Sequence, residues 1–79
     1  MIKNKYTITI IDQGNTLMKI VSIIKRLGFK IEYMEIKKQD QYISTITLTL
    51  NKSQNTNLFQ KSITNIVGVI NLEIKISVG

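Results

Sequence analysis

Between Tyr6 and Val78 the spacing of apolar residues changes period four times, and that succession restricts the chain to few folds. Over residues 6–11 the period is two, with Tyr6, Ile8 and Ile10 on one face and Thr7, Thr9 and Ile11 on the other. Leu17, Ile20, Val21, Ile24 and Leu27 then recur at helical spacing. Alternation returns over residues 29–37 and again over 42–50, where Ile46, Leu48 and Leu50 face inward and Thr45, Thr47 and Thr49 outward. Leu58, Phe59, Ile63, Ile66 and Val67 mark a second helix, and Ile70, Leu72, Ile74, Ile76 and Val78 a last strand. The order β-α-β-β-α-β predicts an α+β, ferredoxin-like sandwich. Its four-stranded antiparallel sheet carries both helices on one face, because crossovers are right-handed. The other face stays open, lined by the threonine rows.

The residues between these runs agree with that order. Asp12-Gln13-Gly14 forms the first turn, and either Asn15 or Thr16 can cap the first helix through its side-chain oxygen. Lys25-Arg26 falls in the last turn, where cations suit the helix dipole, and Gly28 supplies a left-handed stop. Ile31 is out of phase with Met34 and Ile36, so a bulge near Glu32-Tyr33 is expected to bring all three to one side. Lys38-Gln39-Asp40-Gln41 reads as a polar hairpin loop, and Asn55 or Thr56 as the cap of the second helix. No linker or low-complexity tract interrupts residues 1–79, which read as a single domain.

Composition removes whole classes of chemistry. The chain has no cysteine and no histidine, which excludes disulfides, thiolate metal sites and a Ser-His triad. The carboxylates Asp12, Glu32, Glu35, Asp40 and Glu73 show no spacing that suggests an acid–base pair. With so small a core, the chain reads as no enzyme by itself. The net charge of +6 invites a nucleic-acid reading, but most lysines stand alone in sequence and suit solvated faces. An RNA-recognition motif also has this element order. It needs stacking aromatics on its central strands, and "YISTITLTL" offers Tyr42 alone while Tyr6 falls on the core face. No apolar run approaches the roughly 18 residues of a membrane helix, and residues 1–5 lack the apolar segment of a signal peptide. Neither nucleic acid nor membrane is expected as a partner, and the expected location is the cytoplasm.

Two stretches carry a resemblance. "TLMKIVSIIKRLGFKIEYMEI" resembles the first helix and second strand of ACT domains, which are small amino-acid-sensing modules. More narrowly, it is similar to the small regulatory subunits of acetolactate (acetohydroxyacid) synthase, at Leu17, Ile20-Val21, Ile24, Arg26, Gly28-Phe29, Ile31, Met34 and Ile36. "LFQKSITNIVGVINLEI" resembles that family's second helix and last strand, with its corner at Ile66-Val67-Gly68-Val69. The resemblance spans nearly the whole chain, and its positions are mostly packing residues. It implies a non-catalytic subunit of branched-chain amino acid (valine, isoleucine) biosynthesis that activates a large catalytic subunit. Thiamine diphosphate, magnesium and FAD would belong to that large subunit, and no cofactor to this chain. Ending at Gly79, the chain reads as the short form with one ACT domain, which chiefly activates.

The same resemblance implies two sites. The strand carrying Phe29, Ile31, Tyr33, Met34 and Ile36 is the expected interface of a homodimer, paired side by side into an eight-stranded sheet. Asp12, Gln13, Asn15 and Thr16, with Lys30, form the expected effector corner for a small amino acid. Three positions depart from the valine-sensitive pattern: Asp12 for asparagine, Asn15 for glycine and Lys30 for asparagine. An asparagine side chain in place of that glycine would crowd the effector carboxylate, so valine sensitivity is expected to be weak or absent. A different reading stays open, in which the chain is a stand-alone ACT sensor serving another enzyme or a regulator.

Overall fold

In the centre of the two middle strands apolar residues face apolar ones and threonine faces threonine, which agrees with the period-two pattern. Ile8 lies opposite Ile46, Tyr6 opposite Leu48, Thr7 opposite Thr47 and Thr9 opposite Thr45. These strands belong to a computed structural model that describes residues 2–11, 14–51 and 56–78. Its elements are β1 (Ile2–Ile11), α1 (Thr16–Arg26), β2 (Ile31–Lys38), β3 (Ile43–Leu50), α2 (Thr56–Thr64) and β4 (Val69–Val78). The sheet is antiparallel in the order β2-β3-β1-β4, the ferredoxin-like arrangement that the element order predicts.

The core lies between one face of the sheet and the two helices. Tyr6, Ile8 and Ile10 of β1 and Ile46, Leu48 and Leu50 of β3 pack against Ile20, Ile23 and Ile24 of α1 and Phe59 and Ile63 of α2. Phe59 is the aromatic centre, edge-on to Tyr6 at 4.8 Å and tilted against Phe29 at 5.0 Å. Both distances are within the range of favourable ring pairs. The Tyr6 hydroxyl accepts from Asn4 Nδ2 at 3.3 Å, while burial raises its pKa above the ordinary value.

α1 ends as its sequence predicts. Gly28 has φ +80°, its N–H donates to Lys25 O, and the Phe29 N–H donates to Ile24 O. That pair of bonds is a Schellman closure, and the left-handed residue is one that glycine occupies without strain. The expected bulge is also present, since pairing with β3 shifts between Ile31 and Tyr33. Ile31, Met34 and Ile36 thereby oppose Leu50, Leu48 and Ile46 on the helix side of the sheet.

Several expectations need correction. β1 begins at Ile2 rather than at residue 6, because pairing with β3 and β4 continues through polar residues whose alternation hydropathy hides. α2 closes at Thr64, so Ile66 and Val67 belong to the following turn; Val67 and Leu58 are exposed. A second bulge, between Thr9 and Ile10 of β1, sets Ile10 against Val69 and turns Ile70 out of the apolar row. Asn55, one of two candidate caps, lies outside the described residues. Among the described residues, no helix is long and apolar enough to cross a membrane.

Candidate functional site

The first corner is held from two sides. The Ile11 N–H donates to Gly68 O at 2.7 Å, tying the end of β1 to the turn before β4. Gly68 has φ +104°, and a Cβ there would lie 2.7 Å from Thr16 Oγ1. Thr16 is buried in this corner, with a long contact of 3.5 Å from its hydroxyl to Ile11 O. Its side chain therefore fills the junction of the two turns.

Asn15 occupies the N-cap position, yet its side chain makes no cap hydrogen bond. Its backbone is in the right-handed helical region (φ −103°, ψ −8°), whereas a capping residue takes extended angles that aim its oxygen at the first turn. Asn15 is exposed and available. Asp12 and Gln13, the other two candidates in this corner, lie outside the described residues.

Lys30 is far from that corner within one chain. Its carbonyl accepts from the Asn51 N–H at 2.9 Å, at the Leu50 end of β3. Ile11, where the corner begins, pairs with Ile43 at the opposite end of β3. Seven residues of strand separate the two ends, roughly 24 Å at about 3.4 Å per residue. A single copy does not bring Lys30 to Asn15.

β2 is an edge strand with exposed residues on both faces. Met34 and Ile36 lie on the helix side, yet they are 39% and 48% exposed. On the open side Tyr33 is half exposed, and its hydroxyl bonds the Glu35 carboxylate, which raises the phenol pKa. Ile31 is partly buried against the core. Phe29 precedes the strand and is buried on Phe59, so its side chain serves the core of one copy rather than the edge. The hairpin from β2 to β3 is held by Asp40, whose Oδ1 accepts from the Tyr42 and Ile43 N–H groups at 2.8 and 2.9 Å. These bonds hold its carboxyl below the ordinary pKa. The Asx-turn signature of an aspartate in a polar loop could have disclosed this clamp in the sequence.

Among the described residues, no group of acidic side chains is placed to hold a metal ion. The open faces of β1 and β3 carry Lys5, Thr7, Thr9, Thr45, Thr47 and Thr49, with no stacking aromatic.

No family model matches the chain, and no curated protein sequence does. Solved structures do match. The ACT domain of the GTP pyrophosphokinase of Chlorobium tepidum superposes with a TM-score of 0.77 at 18% identity, over 92% of this chain and 96% of that one. The C-terminal domain of the MgtC protein of Mycobacterium tuberculosis gives 0.75 at 10% identity, over 98% and 88%. The regulatory subunit of aspartate kinase from Thermus thermophilus gives 0.70 at 12% identity, over 94% of this chain and 50% of that subunit. The fold is that of an ACT domain. At these identities the likeness defines the architecture.

Proposed function

We propose that this chain is a small regulatory subunit that works as a side-by-side pair and holds an acetolactate synthase catalytic subunit in its active geometry. The observation that carries the pairing is β2, an edge with Met34 and Ile36 exposed on the side of the sheet that the helices otherwise cover. Unpaired edge groups beside apolar side chains form a template for a second strand. Antiparallel pairing of two β2 strands about a twofold axis gives a continuous sheet of eight strands.

The same operation joins the two separated parts of the candidate site. Antiparallel β2 strands set the start of one beside the end of the other. Lys30 of the second copy then reaches the end of the sheet that carries Asn15 of the first. An amino-acid carboxylate held there would meet that ammonium and the first-turn N–H groups of α1. Asn15 leaves less room for backbone approach than a glycine-opened corner, which supports weak valine sensitivity. Activation would be a binding effect that shifts the catalytic subunit toward its active state, with no reaction in this chain. The compartment of this reading is the cytoplasm, and the unit is a single domain over residues 1–79.

The synthase partner rests on the resemblance of residues 16–36 and 58–74. The test is synthase activity of the matching large subunit with and without this protein, then with valine. Strong activation that valine leaves intact is expected; no activation and no co-purification overturns the reading. The GTP pyrophosphokinase and aspartate kinase likenesses favour the second reading, a sensor serving another enzyme. Calorimetric binding of an amino acid by the isolated chain would select it.

A further inference from the structure

The charges of this molecule are sorted by layer. Residues 14–30 and 41–72, which include both helices, contain no aspartate or glutamate, while Lys19, Lys25, Arg26, Lys30 and Lys61 are all exposed. The open sheet face mixes both signs, with Glu35 opposite Thr47, Glu73 opposite Thr7, and Lys5 opposite Lys75. Neither helix has an acidic residue in its first turn, where one would stabilise it through the dipole. The helix layer thus omits carboxylates even where local energetics favours them.

Within that layer a groove opens between α1 and the turn after α2. Met18, Ile23 and Ile66 supply its apolar surface, and Lys19, Ser22 and Arg26 its polar rim. Met18 is 68% exposed. No residue of β2 lines the groove, although Asn15 of the candidate effector corner is among its lining residues.

We infer that this groove docks an acidic segment of a partner protein, an apolar side chain entering between Met18 and Ile66 while flanking carboxylates pair with Lys19 and Arg26. Charge complementarity selects the partner, since a cationic rim with no carboxylate within residues 14–30 and 41–72 attracts acidic surfaces and repels a second copy of this basic chain. The apolar floor distinguishes a protein from a polyanion. Phe29 and Phe59 are buried, and Tyr33 and Tyr42 belong to β2 and its hairpin, so the groove lacks the aromatics that hold unpaired bases. It also lacks the Trp and Phe of helices that lie in a lipid interface. The partner need not be a synthase, so this inference goes beyond the function proposed above.

The test is a titration of the full chain, followed by NMR, with a short synthetic peptide in which glutamates flank a leucine. Shifts confined to Met18, Lys19, Arg26, Ile66 and their neighbours are expected. K19E/R26E should weaken binding by at least about tenfold, because each rim charge is reversed. K5E/K75E, an equal charge change on the open sheet face, should retain it, and circular dichroism verifies that both variants fold. Equal binding by K19E/R26E overturns the inference, as does tighter binding of a short RNA or of anionic lipid vesicles. A parallel pull-down with the matching synthase large subunit separates the two readings. If wild type and K19E/R26E both bind it, the synthase docks elsewhere, the proposed function stands, and the peptide titration decides the groove. If wild type does not bind it, the proposed function fails and the peptide titration alone decides the groove.

Discussion

β3 and β2 are neighbours of eight residues each, and both carry an apolar row on the helix side of the sheet. In β3 the row is sealed, with Ile46, Leu48 and Leu50 fully buried. In β2 the residues opposite two of them, Ile36 and Met34, stay 48% and 39% exposed. The chemistry of the two rows is alike; what differs is the cover. Two helices of 11 and 9 residues reach across β1 and β3 and do not cover the edge. The difference shows which apolar residues the helices seal within one copy and which stay exposed at its edge.

The largest effect expected is in the sealed row. Leu48→Ala should destabilise the domain by about 2–5 kcal/mol in urea unfolding, the range for a buried leucine deletion. Met34→Ala, directly opposite, should cost far less in a dilute sample. Equal losses would break the distinction between the strands.

Gly68→Ala comes next. A positive-φ position costs an L-residue about 1–2 kcal/mol, and the new Cβ would also press on Thr16 Oγ1. Thermal unfolding of Gly68→Ala should fall clearly below wild type, and the added Thr16→Ala change should recover part of the loss by removing the hydroxyl that the new Cβ meets at 2.7 Å.

Ile36→Lys should alter the stability of a single copy by no more than about 0.5 kcal/mol, as for other surface changes, while removing self-association. A long charged side chain on an edge strand blocks further pairing.

The smallest effect concerns the hairpin that joins the two strands. Asp40 has a folded pKa below its ordinary 3.8, so its contribution is fully present above that value. It is lost as the pH falls through the lower folded value. Amide exchange at Tyr42 and Ile43 should accelerate in that acid window before exchange in the centre of β3 does. Asp40→Asn should remove the pH dependence.

How far the sequence disclosed this follows from the range of each interaction. The period was legible in β1 and β3 because apolar core residues alternate with threonines on the open face. The Glu32 bulge was legible because Ile31 broke phase with Met34. Gly28 was legible because its closure is local, completed by bonds to Lys25 and Ile24. The Thr16–Gly68 corner was not, since it joins residues distant in sequence. Ile70 was read as part of the apolar row because nothing local signals a bulge set by pairing with β1. The arrangement of the candidate residues was not legible. Lys30 and Asn15 lie at opposite ends of the sheet, and neighbouring runs in the sequence conceal that separation.

The central claim is that a second copy completes β2 and unites the two halves of the site. Sedimentation equilibrium of wild type beside Ile36→Lys tests it most directly. The account expects wild type at twice the 9.0 kDa chain mass and the variant at the chain mass itself. Wild type sedimenting as a single 9.0 kDa chain at every concentration, or a variant that pairs as well as wild type, would contradict it.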